Sequence, residues 1–180
     1  MIRIPGATVL ARTIHQDPRG FLLETMRCDD VAVAGERFQM SYTSLTVPGQ
    51  MRDRDRWHVH RLQEDRFVVP MGEMVLALYD ARGSSPAAGR IEAIRMAGVP
   101  WGAPQSPSGA RSILTHMVTI PIGVYHCIGN LHPSEPFVLQ NYPTRLYDPS
   151  DEGRVPFVDQ PIAALGDRPF SWDLVDVHRS

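Results

Sequence analysis

Sixteen prolines and fourteen glycines in a chain of 180 residues cut the apolar sequence into pieces too short for helices. Arg66–Val69, Met74–Tyr79, Ile113–Ile120 and Pro136–Gln140 are bounded by turn formers and have strand length. No long stretch repeats its apolar positions with a 3.6-residue period, and a short helix is expected only near Cys28–Ala34. Many short strands must bury their faces by stacking or closing sheets, so the sequence predicts an all-β antiparallel barrel or sandwich. Gly98–Ala110 reads as a loop and Arg145–Asp167 as a turn-rich tail. No repeat or second domain is visible, so residues 1–180 read as a single domain with an N-terminal strand arm and a C-terminal turn-rich tail.

Composition narrows the partners. With 18 basic and 20 acidic residues the formal charge is −2, too balanced for a nucleic-acid or anionic-membrane surface, which leaves a small molecule as the expected ligand. All the basic residues are arginine, and without lysine there is neither Schiff-base chemistry nor an amine acid or base. Cys28 and Cys127 form neither a disulfide framework nor a paired-cysteine zinc motif, and the start lacks signal-peptide character, so a cytoplasmic location is expected. No apolar run approaches the roughly 20 residues needed to cross a bilayer.

The chemistry-bearing residues fall in two clusters. In Trp57-His58-Val59-His60 the two histidines are two residues apart, so on a strand both face the same side. Asp65 and Gly72 follow, a spacing close to the first cupin signature. Pro121, Gly123, His126 and Asn130 fit the second, PxGxxHxxxN, in the right order. In metal cupins such histidines and a carboxylate make a site for a divalent cation, which here would take His58, His60, Asp65 and His126.

The flanks narrow the resemblance. Asp17-Pro18-Arg19-Gly20-Phe21 through Glu24, Gly72-Glu73 through Arg82, Ser85-Pro86 with Gly89, and Tyr147-Asp148-Pro149 with Asp151-Glu152-Gly153 are similar to successive elements of the dTDP-4-dehydrorhamnose 3,5-epimerase family. With Trp172 the resemblance spans roughly residues 14 to 172; the loop Thr43–Arg56 is longer than the family's. It implies a cupin double-stranded β-helix, or jelly roll, with short helical segments, and no cofactor. It also implies an isomerase that moves protons beside the ketone of a 4-keto-6-deoxyhexose nucleotide. His60 falls on the family's base, and imidazole suits that role because it titrates near neutral pH. Arg19 and Glu24 fall on positions that reach across a homodimer to the partner's nucleotide, and Gln39, His126 and Tyr147 on substrate-lining positions.

Two family residues have no match. The lysine that steadies the enolate aligns on Asp65, and the tyrosine acid aligns on Asn141, with Tyr142 displaced by one residue and therefore expected to face the other way unless the register shifts. The family's late carboxylate partner of the base has no equivalent in Asp173 or Asp176. Three readings stay open at this level: a diverged sugar-nucleotide epimerase or isomerase using His60, His58 and Tyr142; a metal-dependent cupin; and a non-catalytic sugar-nucleotide binder. The 3,4-ketoisomerases are a variant of the first. Arg52, Arg54 and Arg56, alternating with Asp53 and Asp55, are expected to form a self-neutralised loop, and His15, His116, His132 and His178 to be structural or exposed.

Overall fold

The computed structural model describes residues 2–17, 20–27, 39–102 and 111–175, with backbone alone at 17 and 111–113. The helix expected near Cys28–Ala34 and most of the Gly98–Ala110 loop lie outside the described residues. Eleven strands follow in order: β1 (Thr8–Asp17), β2 (Gly20–Leu23), β3 (Tyr42–Thr46), β4 (Arg56–His60), β5 (Asp65–Met71), β6 (Glu73–Tyr79), β7 (Ile91–Ala97), β8 (Arg111–Ile120), β9 (Tyr125–Gly129), β10 (Phe137–Asn141) and β11 (Glu152–Pro156). They pair antiparallel into a six-stranded sheet, β2-β1-β8-β5-β10-β3, facing a five-stranded sheet, β11-β4-β9-β6-β7. Single 3₁₀ turns at Phe157–Asp159, Ala163–Leu165 and Trp172–Leu174 are the helical segments. This is the all-β jelly roll of the cupins, and no helix among the described residues is long and apolar enough to cross a membrane.

Period-two alternation explains both layers of the core. Along β6, Met74, Leu76 and Leu78 point between the sheets, where they meet Phe67, Val69, Val118, Ile120, Phe137 and Leu139 from the opposite sheet. Val75, Ala77 and Tyr79 point the other way and are equally buried, because a second layer covers the outside of the five-stranded sheet. That cover is the C-terminal region: Phe157, Ile162, Phe170 and Trp172 pack on Trp57 and Cys127, with Trp57 and Phe157 ring centroids 5.0 Å apart. A strand buried on both faces loses its polar alternation, which is why β6 reads as a continuous apolar run.

Two segments expected to be irregular are strands. The tail Arg145–Asp167 contains β11, whose Glu152 and Arg154 stand opposite His60 and His58 on β4. Gly153 permits this approach: a Cβ there would come within 2.7 Å of Val59 Cγ1. The loop Thr43–Arg56 begins inside β3, which pairs with β10 and puts Tyr42 opposite Asn141. Neither strand carries a continuous apolar run, because their inward faces line the polar end of the barrel.

Gly72 turns the chain from β5 to β6 at φ +77°, and a Cβ there would lie 2.2 Å from the Pro136 carbonyl oxygen. Gly72→Ala is therefore expected to cost about 2 kcal/mol or more of folding stability in denaturant titrations. Gly83→Ala is the control, since a Cβ at Gly83 meets nothing within 4 Å, and it should leave the midpoint nearly unchanged.

Candidate active site

The lumen is divided. Apolar side chains fill one end, and the other holds a cavity of about 280 Å³ lined by Tyr42, Ser44, Arg52, Asp53, His58, Asp65, Phe67, His126, Ile128, Leu139 and Arg154. Each wall contributes its own chemistry. The five-stranded sheet presents the imidazoles: His58 and His60 from β4, and His126 from β9, directly across from His58. The His58 ring lies 4.6 Å from that of His60 and is stacked on that of His126 at 5.0 Å between centroids. The six-stranded sheet presents Asp65, Asn141 and Tyr42 from β5, β10 and β3.

Asp65 joins the two walls. Its Oδ2 is 3.6 Å from His60 Nε2 and 3.5 Å from His126 Nε2, while its Oδ1 accepts hydrogen bonds from Asn141 Nδ2 at 2.8 Å and Gln63 Nε2 at 2.9 Å. Burial pushes its carboxyl upward, but the contact with His126, the charges of His126 and His60 and the Asn141 amide together outweigh it, so Asp65 titrates below the usual carboxylate range and is ionised. His58 moves downward, chiefly through burial and then through neighbouring His126, Arg154 and His60, which keeps its imidazole neutral.

His60 has a different environment on each nitrogen. Nε2 lies 3.3 Å from the Gln63 amide nitrogen and 3.6 Å from Asp65 Oδ2, and Asp151 Oδ2 lies 3.3 Å from Nδ1. Asp151 is itself anchored, accepting the backbone N–H groups of Arg61 and Leu62 through Oδ1 at 2.8 Å each. His60 thus has a carboxylate near each ring nitrogen, Asp151 at Nδ1 and Asp65 at Nε2.

Of the residues the sequence nominated, His58, His60, Asp65 and His126 come together here. Gln39 and Tyr147 share a separate depression of about 380 Å³ that also includes Leu62 and Asp151. Glu24 is exposed and pairs with Arg27 at 2.8 Å; Arg19 lies outside the described residues. Tyr142 packs with Val68 and Met117 on the back of the six-stranded sheet, and its hydroxyl bonds Thr25, so it does not enter the lumen. The one-residue offset from Asn141 turned it outward, as strand alternation requires. The arginine-rich loop is self-neutralised only in part: Asp55 pairs with Arg56, but Arg52 lines the cavity and Asp53 is buried against Arg154. His132 is structural, accepting the N–H groups of Ser134 and Glu135. Among the described residues, no three His, Cys, Asp or Glu side chains are arranged to hold a metal ion.

Sequence reasoning missed four contributors. Arg52 lay in the segment read as loop and Tyr42 directly before it, while Asp151 and Arg154 lay in the tail. The alternation of Glu152 and Arg154 beside Gly153 was the available signal for β11. Asp151 supplies the carboxylate beside His60 that Asp173 does not; Asp173 is exposed and bonded to Ser171 near the C-terminal 3₁₀ turn.

A jelly roll with imidazoles projecting into a polar cavity defines a cupin. No protein-family model matches the chain. It is 34% identical over 152 residues to the "probable low-salt glycan biosynthesis epimerase Agl13" of Haloferax volcanii, covering 80% of this chain and 82% of that protein. It is 28% identical over 172 residues to the spore coat polysaccharide biosynthesis protein SpsL of Bacillus subtilis, covering 94% and 97%. Among solved structures, a dTDP sugar isomerase from Desulfovibrio desulfuricans superposes with a TM-score of 0.72 at 24% identity, over 98% of this chain and 97% of that one. The 3'-monoepimerase ChmJ from Streptomyces bikiniensis, in complex with dTDP-quinovose, gives 0.68 at 22% identity over 94% and 80%. The chain belongs to the dTDP-4-dehydrorhamnose 3,5-epimerase family, as a diverged member.

The neutral, buried state of His58 makes a pH prediction. Its folded pKa lies below the unfolded value of about 6.5, so the unfolded chain binds the extra proton and stability falls as pH drops below that value. Urea unfolding at pH 7 and pH 5 should show His58→Asn losing less stability than the parent, by up to about 1.4 kcal/mol per pH unit.

Proposed function

We propose that this protein is a sugar-nucleotide epimerase that removes the proton beside the C4 ketone of a 4-keto-6-deoxyhexose nucleotide, with His60 as base. The observation that carries this is the setting of His60 beside the cavity, with the backbone-anchored carboxylate of Asp151 3.3 Å from Nδ1 and with Nε2 turned toward Gln63 and Asp65; a base acting through Nε2 uses the tautomer protonated on Nδ1. The bound sugar takes the place of the Gln63 amide at Nε2, and Asp151 stabilises the imidazolium that forms. Developing negative charge on the ketone oxygen is met by Arg52, Arg154 and His126, all of which line the cavity. This is an arginine-based answer to the absence of lysine. The relatives' names as an epimerase, a sugar isomerase and a monoepimerase support the reaction class.

The rest of the reading follows the family resemblance. Arg19 and Glu24 act on the nucleotide of a partner subunit, and Gln39 and Tyr147 act at the rim. Exposed Phe21, Leu22 and Leu114 on the β2-β1-β8 side of the six-stranded sheet support a homodimer. A cytoplasmic location is consistent with Cys127 being a free, buried thiol.

Incubation with dTDP-4-keto-6-deoxyglucose in deuterated water should place deuterium at C3, at C5 or at both. His60→Asn should slow that exchange by about 10²-fold or more. Undiminished exchange in this variant, with loss in His58→Asn instead, would move the base to His58. Asp151→Asn should lower kcat on the order of 10²-fold while moving KM far less, since it disturbs the tautomer rather than substrate contact.

A further inference from the structure

We propose that Tyr42 is the acid of this epimerase, delivering its phenolic proton to the sugar carbon from the face opposite His60. This rests on the epimerase reading above and names the residue that completes it.

Inversion imposes a geometric demand. The base breaks the C–H bond on one face of the ring and leaves the electron pair in an enolate, so the new proton must arrive at the same carbon from the other face. His58, His60 and His126 all project from the five-stranded sheet, so a ring bound between the walls must receive its second proton from the six-stranded sheet.

The described cavity-lining residues of that sheet are Tyr42, Ser44, Asp65, Phe67 and Leu139. Phe67 and Leu139 have no proton to give. Asp65 is ionised and already accepts from Asn141 and Gln63. The serine hydroxyl is far too weak an acid. Asn141, where the family has its tyrosine, is fully buried, donates to both Asp65 and Tyr42, and cannot release a proton at neutral pH.

Tyr42 is the direct cross-strand partner of Asn141. Asn141 Nδ2 donates to the Tyr42 hydroxyl oxygen at 3.0 Å, which orients the phenol and leaves its own O–H proton uncommitted. Although the residue as a whole is 43% exposed, desolvation around its hydroxyl first, and then the charge of Asp65, push its pKa up to about 12, so it holds that proton at neutral pH. The phenol lost from β10 has thus been replaced from the adjacent strand, one sheet spacing away, and asparagine holds it in place. After each turnover a proton taken up from water restores the phenol, while the imidazolium of His60 returns its own to water, so the cycle is balanced.

Tyr42→Phe keeps the ring and removes only the hydroxyl, and near-parental dTDP binding and circular dichroism verify that the variant is folded. Assayed with dTDP-4-keto-6-deoxyglucose in deuterated water, it should show the ratio of inverted product to deuterium exchange falling about 10²-fold or more, because deuterium then returns from His60 to the original face. His60→Asn, by contrast, should lose exchange and inversion together. A Tyr42→Phe enzyme with an unchanged ratio overturns the assignment. A parent protein that catalyses neither exchange nor inversion overturns the epimerase reading, and this assignment with it.

Discussion

A carboxylate buried between two sheets survives only if its charge is compensated on every side, and Asp65 sets this condition for the polar end of the barrel. An isolated buried carboxylate would protonate or unfold its surroundings. Asp65 instead meets two imidazoles from one wall and two amides, from Asn141 and Gln63. Those partners must come from β4, β9, β10 and the turn after β4, so four parts of the chain are held in register by one charge. The apolar half of the lumen tolerates hydrophobic exchange of similar volume, but this half does not.

The same carboxylate shapes what surrounds it. Asp65 stands where the family resemblance leads one to expect a cation, and basic side chains line the cavity near it. Arg52 and Arg154 bring positive charge from the loop after β3 and from β11. Asn141 serves two acceptors, Asp65 on one neighbouring strand and Tyr42 on the other. Asp65, Asn141 and Tyr42 are coupled in physical terms, because a change at any one of them leaves an unmatched charge or hydrogen-bonding group at the others.

Much of this was legible in the sequence. Short apolar runs between prolines and glycines gave the strands, and the His58-x-His60 spacing gave two imidazoles on one face. The one-residue offset correctly implied that Tyr142 faces away from Asn141. What was not legible was anything set by long-range pairing. Glu152, Gly153 and Arg154 look like a polar turn until β4 lies beside them, and Tyr42 looks like a loop residue until β10 does. Asp151 gives no local sign that it will sit against His60, because that contact spans 91 positions and depends on β11 closing the sheet edge. Polar residues lining a cavity carry no apolar periodicity, so β3 and β11 were the strands hidden from pattern reading.

The aromatic cover on the back of the five-stranded sheet ties the site to a distant stretch of chain. Trp172 reaches beneath the sheet, donates its indole N–H to the Asp53 carbonyl at 3.2 Å and rests against Gly129, and Asp53 lines the cavity on the other side. During synthesis the histidine-bearing strands emerge well before this tryptophan, so until it arrives the outer face lacks part of its aromatic cover and Asp53 is held through Arg154. The wall behind the imidazoles is thus backed by a residue 119 positions along the chain from the Asp53 it holds, and this contact forms only once residue 172 has been made.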